Sequence, residues 1–381
     1  MIQVQLQPLG TGEDDWPRLR LICEAYAYKA AVALRSGVWI CRSKQSLPSG
    51  TVIVGGPGGS ITQGLTDGAV DPYNAAFSAG PKFDENPIRA TLLFEPNPYS
   101  DTIKTAIPFP VGSILRVWRG THGLLTHYFN VEDIEQPKDG DPYTITLDRS
   151  LGARFKAGDL VESVRSVPEN IVIVGNGMQI SGTGDRYVEL AAARHCRVSG
   201  LIADTKHGGL GPKSPAMSFD IGGYCSHFEN CQVESADFPI NSGLIIESGC
   251  LCTIKTCQVR HASVCGVGLY DSHLCEIVDC SAFWCHDGGY IGHDGTNEGC
   301  TMCEIRDGSF TNCDHGIHFG GSRETIIEDV ACSDNRIVGI KCSTHEQNSR
   351  IQAARCYRNQ VAAIMVQPDC EVEIDGLICK P

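Results

Sequence analysis

The residues best suited to chemistry in this sequence are four polar side chains at corresponding places in successive segments of the chain. Asp220 and Glu247 lie next to short segments in which every second residue is apolar, and Tyr270 and His293 fall in the next two such segments. Alternation with a period of two indicates a β-strand with one buried face, so these four side chains are expected to point outward in one column. Adjacent parallel strands lie about 4.8 Å apart, which would stack the two carboxylates directly.

Two stacked carboxylates favour acid–base cleavage of a glycosidic bond. Proximity raises the pKa of one carboxyl group, which can then act as an acid while the other stays ionised as a nucleophile or base. A separation of about 5 Å is typical of retaining glycosidases, and one of about 6.5–9.5 Å of inverting ones. Direct stacking of Asp220 on Glu247 would therefore suit a retaining hydrolase. The alternative is a solvated strand face that is polar only because it lies outside.

A second cluster is rich in histidine. Seven of the 12 histidines lie between His261 and His345, and two of them begin the pairs His286-Asp287 and His293-Asp294. A His or Lys base can abstract the C5 proton of a uronic acid, so a lyase is the alternative to a hydrolase. No metal-ligand spacing accompanies these residues, and no cofactor is predicted. We expect catalysis by Asp220, Glu247 and His293, and substrate binding by Tyr270, His318, Lys341, Arg323 and Asp294.

A repeat through the second half of the chain positions these side chains. One apolar position recurs every 21–30 residues, and a second alternating segment follows it, in which we align Met217/Phe219 with Leu244/Ile246. Several short strands per repeat, without a helical pattern, predict an all-β solenoid of the parallel β-helix type. The recurring apolar column is Val198, Phe228, Ile254, Ile277, Ile305, Ile327, Ile351 and Val372.

The rest of the chain divides into three regions. Residues 1–60 are expected to hold the first strands and a capping α-helix, because Asp14-Asp15-Trp16-Pro17 precedes apolar residues at helical spacing. Residues 61–168 are interpreted as irregular coils with a loop and strand insertion, of which 64–110 is read as a long loop. Residues 169–381 are predicted to form the regular coils.

Composition excludes some partners and leaves the compartment open. The net charge of −14 argues against a nucleic-acid partner, since phosphate binding needs a basic surface. No run of 18 apolar residues predicts a membrane span, and residues 1–12 do not resemble a secretory signal. A virion or extracellular location, reached by another route, and a cytoplasmic one both remain open.

Cysteine is unusually frequent and unevenly placed. Of the 20 cysteines, 18 lie between Cys196 and Cys379. A chain of this length can bury a large core without disulfides. The close pairs Cys250/Cys252 and Cys300/Cys303 have no second pair at zinc-finger spacing. We therefore predict mostly free thiols stacked inside the coils.

Three features carry a resemblance to a known group of proteins. They are the segment Gly10-Thr-Gly-Glu-Asp-Asp-Trp-Pro17 with its helix, the turn Leu47-Pro-Ser-Gly50, and the coils. Together they resemble the pectate-lyase-like superfamily of single-stranded right-handed β-helix proteins, in particular the branch with phage tailspikes and polysaccharide-degrading enzymes. The resemblance implies a right-handed helix, an acidic or capsular polysaccharide bound along its outer face, and a homotrimer as one possible assembly. A non-catalytic glycan-binding or structural appendage is the alternative.

Overall fold

In the computed structural model, each regular coil of the chain contributes three short strands, and equivalent strands of neighbouring coils pair in parallel. The strands therefore stack in three rows, which confirms the predicted parallel β-helix. The structure describes residues 2–10, 12–43, 46–63, 75–119, 125–138, 140–152, 155–182, 186–204, 217–234, 240–292 and 299–380.

Short strands separated by corners make up the first two rows. Two long strands, Val172–Gly182 and Arg197–Asp204, bend through the corner and belong to both rows. The other strands of the first row are Gln3–Leu6, Ala31–Leu34, Val52–Gly55, His227–Glu229, Thr253–Lys255, Glu276–Val278, Glu304–Arg306, Ile326–Glu328, Ser349–Gln352 and Val372–Asp375. Those of the second row are Val38–Cys41, Ser60–Gln63, Gln232–Glu234, Gln258–Arg260, Ser281–Phe283, Ser309–Thr311, Ala331–Ser333, Arg355–Tyr357 and Ile378–Lys380.

The third row is a nine-stranded parallel sheet that closes each coil. Its inward side chains pack into the core of the solenoid, and its outward face carries most of the predicted site residues. Its strands are Ala75–Ala79, Arg186–Arg194, Met217–Tyr224, Ile240–Cys250, Ala262–Tyr270, Asp287–Gly292, His315–Gly320, Val338–Ser343 and Ala362–Val366.

The predicted apolar column is present in the first row. Each residue from Val198 to Ile351 pairs with the next one along the solenoid, and all are fully buried. The last position is different, because Ile374 pairs with Ile351 while Val372 pairs with Ser349. The expectation for Val372 is therefore wrong by two residues. A shift of two preserves which face a side chain points to, so the apolar pattern did not distinguish the two registers.

Free thiols line the corners next to this column. All 20 cysteines are unpaired, and 17 of them are buried. Backbone N–H groups donate to thiols of the following coil, as from Cys252 to Cys275 Sγ at 3.3 Å and from Cys257 to Cys280 Sγ at 3.4 Å. A thiol is small enough to stack at every rung and also accepts a hydrogen bond, which explains its repeated use here.

A helix, Trp16–Tyr26, lies at the N-terminal end of the solenoid. Trp16, Leu19 and Cys23 are buried and join the core of the coils. The Asp15 carboxylate does not cap the helix; it accepts hydrogen bonds from the backbone N–H groups of Leu9 and Ile40 instead. Across the described part of the chain, no helix has the length and apolar character needed to cross a membrane.

A separate antiparallel sheet is inserted before the regular coils. Its strands are Lys82–Phe83, Arg89–Thr91, Thr102–Thr105, Ile114–Arg119, Leu125–Glu135, Tyr143–Leu147 and Leu160–Ser166. The insertion has its own apolar core, which includes Phe109, Phe129 and Phe155. The interpretation of 64–110 as a long loop is wrong where four strands lie within it, because Pro and Asp in this stretch mark tight turns between short strands.

The insertion rests on the last residues of third-row strands and on the turns that follow them. Tyr99 Oη donates to Glu324 Oε1 at 2.7 Å, and the Arg149 guanidinium lies over the Tyr224 ring at 4.4 Å. Arg194 Nη1 donates to Asn130 Oδ1 at 2.6 Å. These contacts hold the inserted sheet beside the outward face of the third row. The inserted sheet thereby forms one wall of a cleft.

Candidate active site

The outward face of the third row is organised in columns whose register differs from the sequence prediction. Phe219 pairs with Leu244 and Ile221 with Ile246, so Asp220 lies opposite Ile245, while Glu247 lies opposite Tyr270. The predicted direct stacking of Asp220 on Glu247 is therefore wrong by two residues. The column that contains Asp220 runs Ser78, Glu189, Asp220, Ile245, Gly268, Tyr290, His318, Lys341 and Met365.

Asp220 and Glu247 nevertheless line one pocket of about 190 Å³. A shift of two residues keeps both side chains on the outward face, so they become diagonal neighbours on adjacent strands. The far wall comes from the inserted sheet, which contributes Arg116, Thr126 and Tyr128. We call this the acid pocket. Sequence patterns gave no sign of that wall, because it is set by tertiary docking of the insertion.

Arginine and burial set the charge state of the acid pocket. Arg186 Nη1 donates to Asp220 Oδ2 at 2.7 Å and to Glu189 Oε1 at 3.0 Å. Burial and the negative charge of Glu247 raise the pKa of Asp220 to about 7, against the opposing effect of Arg186. At neutral pH a sizeable fraction of Asp220 is therefore protonated, which is the state that a general acid needs.

Aromatic rings continue this face beyond the acid pocket. The Tyr270 and Tyr290 rings stack with centroids 4.8 Å apart, and the Tyr290 ring meets His318 edge-on at 5.4 Å. Gly268 leaves room for this packing, because a Cβ there would lie 3.0 Å from the Tyr270 ring. Tyr270 was predicted to bind substrate, and Tyr290 was not, although alternation from Ile291 could have identified it.

Farther along the same sheet, a buried carboxylate contacts one buried and one half-buried imidazole, and we call these three residues the imidazole cluster. His315 Nδ1 and Asp287 Oδ1 are 2.7 Å apart, and His318 Nδ1 and Asp287 Oδ2 are 3.0 Å apart. Burial favours the neutral acid, but hydrogen bonds from His315 and His318 lower the pKa of Asp287 to about 2. His318 Nε2 also lies 2.7 Å from Ser343 Oγ. Asp287 was noticed as part of a histidine-rich stretch, whereas Ser343 was missed because its partners are 25 or more residues away.

Two members of this cluster, Asp287 and His315, could hold a cation together with His286. Among the described residues, His286, Asp287 and His315 each offer a ligand atom within 4.8 Å of the others. The ring of His286 is oriented through Nδ1, which lies 2.8 Å from Asp314 Oδ2, as is usual for imidazoles that bind metals. A two-histidine, one-carboxylate set suits a divalent transition metal.

The remaining predicted residues fall in different places. Lys341 pairs with His318 in the column of Asp220. Arg323 lies in the turn after the strand His315–Gly320, bridged to Thr301 and Gln347, and so it is outside that column. His293 and Asp294 lie outside the described residues.

Comparison with known proteins supports the fold. The family model described as "Right handed beta helix region" matches residues 242–377. No curated protein matches this chain. The tailspike protein of Pseudomonas phage LKA1 is 14% identical with a TM-score of 0.50, over 96% of this chain and 57% of that one.

Two further tailspikes resemble the chain. A tailspike protein mutant of E. coli bacteriophage HK620 is 10% identical with a TM-score of 0.57, over 99% of this chain and 60% of that one. The Dettilon tailspike protein is also 10% identical with a TM-score of 0.57, over 98% and 62%. The chain thus spans 57–62% of the length of these tailspikes. These matches confirm the right-handed β-helix fold that the resemblance predicted.

Proposed function

We propose that this protein is a polysaccharide-cleaving enzyme whose acid pocket hydrolyses a glycosidic bond. The observation that carries the proposal is a buried carboxyl group, Asp220, with a pKa of about 7, beside a second carboxylate, Glu247, in an open pocket. Asp220 donates its proton to the leaving glycosidic oxygen. Glu247 acts as the base that activates water.

The diagonal placement of the two carboxylates supports inversion at the anomeric carbon. Asp220 lies opposite Ile245, two residues before Glu247 on the paired strand. The backbone positions of diagonal neighbours are about 7–8 Å apart, compared with about 5 Å for direct neighbours. The larger separation leaves room for a water molecule between the base and the sugar, as inverting glycosidases require. We therefore propose an inverting mechanism in place of the retaining one that we expected from direct stacking.

The substrate we propose is an acidic or capsular glycan that lies along the outward face. Tyr270 and Tyr290 offer apolar ring surfaces for sugar rings, and Lys341 supplies a positive charge for a substrate carboxylate. His293, predicted as a catalytic residue, and Asp294, predicted to bind substrate, follow directly after Gly292, and both roles remain proposals. Similarity in fold to phage tailspikes supports a tailspike-type depolymerase and makes a homotrimer the natural assembly to test by light scattering.

A glycan panel tests this function. The protein is incubated with acidic and capsular polysaccharides, and the products are measured by mass and by absorbance at 235 nm. We expect saturated oligosaccharides that carry one added water. Unsaturated products would show a lyase and contradict the acid-pocket mechanism. Binding without cleavage of any glycan would favour the non-catalytic alternative.

A further inference from the structure

A second chemically competent group lies on the outward face beyond the acid pocket. Ser343, His318 and Asp287 come from three consecutive strands of the third row. Ser343 Oγ lies 2.7 Å from His318 Nε2, and His318 Nδ1 lies 3.0 Å from Asp287 Oδ2. With the imidazole proton on Nδ1, the serine hydroxyl donates to Nε2 and the imidazole donates to the carboxylate. This is the order of contacts in a Ser–His–Asp triad.

The surroundings hold each member of this group in place. The second oxygen of Asp287 accepts from His315 Nδ1 at 2.7 Å, so the carboxylate is fixed from two sides. A Cβ on Gly320 would lie 2.6 Å from Ser343 Oγ, so only glycine leaves the hydroxyl its position. Ser343 itself is half-buried and reaches the outer surface.

We propose that Ser343 is the nucleophile of a hydrolase that removes O-acyl groups. Ser343 Oγ attacks the ester carbonyl while its proton passes to His318 Nε2. The C–O bond to the alcohol then breaks, and His318 returns the proton to the departing oxygen. Water attacks the resulting acyl-serine, with His318 again accepting a proton, and the acid leaves as Ser343 regains its hydrogen. Lys341, two residues before Ser343 on the same strand face, places a positive charge near the developing oxyanion.

The position of the triad indicates which ester it cleaves. His318 stands four strands from Asp220 in the same column, about 19 Å away at the usual strand spacing. The stacked rings of Tyr270 and Tyr290 lie between them. The choice of an O-acetylated glycan as substrate rests on the proposed function, whereas ester hydrolysis by the triad does not. A single polysaccharide chain that lies along this face would be deacylated at the triad and cut in the acid pocket.

Acetate release from an O-acetylated polysaccharide and from p-nitrophenyl acetate tests this inference. We expect the full-length protein to hydrolyse p-nitrophenyl acetate and to be labelled at Ser343 by a fluorophosphonate. Ser343→Ala should lower acetate release at least about 10²-fold and abolish labelling. Ser333→Ala, which changes a half-buried serine of the same coil on the second row, should match the unmodified protein.

The two activities separate by variant. Ser343→Ala should still shorten a deacetylated polysaccharide, and Asp220→Asn should still release acetate. If the protein cuts no glycan but still releases acetate, the proposed glycan hydrolysis is contradicted and the triad is supported. Absence of both esterase activity and Ser343 labelling would overturn the triad. So would loss of acetate release with EDTA and its recovery with Zn²⁺, which would assign hydrolysis to a metal at His286, Asp287 and His315.

Discussion

Opposing influences on one carboxyl group determine what the acid pocket can do. Asp220 is shielded from water and faces the charge of Glu247, and both effects favour its protonated form. Arg186 contacts Asp220 at 2.7 Å and favours the ionised form. The balance leaves the pKa of Asp220 at about 7, where a carboxyl group can both give up and recover a proton at neutral pH.

The pH dependence of cleavage follows from this balance. The acid must be protonated, so kcat/KM should fall as the pH rises through about 7. Arg186→Gln removes the charge that lowers the pKa of Asp220, so the alkaline limb should move to higher pH. Arg186→Lys keeps the charge and serves as the control. A profile of kcat/KM against pH for the three proteins measures the shift. If the alkaline limb stays in place in Arg186→Gln, the loss of activity at high pH is caused by a group other than Asp220.

At the scale of the strand, the sequence predicts which face a side chain points to more easily than which residues of neighbouring strands pair. Alternation identified the inward and outward residues of the third row, and Asp220, Glu247, Tyr270, His318 and Lys341 all lie on outward-facing positions. Register was harder to obtain, because a shift of two residues leaves the pattern unchanged. This is why Val372 was placed where Ile374 lies, and why Asp220 was aligned with Glu247 instead of Ile245.

Contacts between distant segments were beyond sequence reasoning. Arg116 and Tyr128 reach the acid pocket only because the inserted sheet docks on the third row. Ser343, His318 and Asp287 meet because three coils are in register, and none of them forms a local motif. Apolar periodicity therefore predicted the solenoid and its core, while pairing offsets and docking determined the chemistry of its surface.

The buried column of the first row predicts that two neighbouring isoleucines of one strand contribute very differently to the free energy of unfolding. Ile327 is fully buried between Ile305 and Ile351, while its neighbour Ile326 is 39% exposed. Ile327→Ala should lower the free energy of unfolding by about 2–5 kcal/mol, because it leaves a cavity in the stacked core. Ile326→Ala should change it by only about 0.5 kcal/mol. Thermal and urea unfolding of both variants measure the difference, and equal losses would contradict the column.

For the whole molecule, the solenoid supplies a rigid platform and the insertion turns one face of it into a cleft. The core continues from the N-terminal helix to the last coils without a break. Its thiols are held away from water, and burial raises the pKa of Cys196 to about 11 and that of Cys250 to about 12. Thiols with such high pKa values react slowly with oxidants and disulfides.

Thiol accessibility should reflect this architecture. In the folded protein, a thiol reagent such as Ellman's reagent should react rapidly with Cys379, the one exposed cysteine, and slowly with the buried ones. After denaturation without reductant, all 20 thiols should react. Cys379→Ser should remove the rapid phase. A denatured count well below 20 would reveal disulfides and a core packed differently from the ladder of free thiols.

Turnover of a cleaved glycan by carboxylate variants tests the acid pocket most directly. Asp220→Asn and Glu247→Gln should each lower kcat at least about 10²-fold, a typical contribution of a general acid or base, with the thermal unfolding midpoint largely kept. Glu328→Gln, on the first row of the solenoid, should retain full activity. The product formed first, observed by NMR, should have the inverted anomeric configuration. Near-normal turnover in both pocket variants would contradict the assignment of cleavage to Asp220 and Glu247.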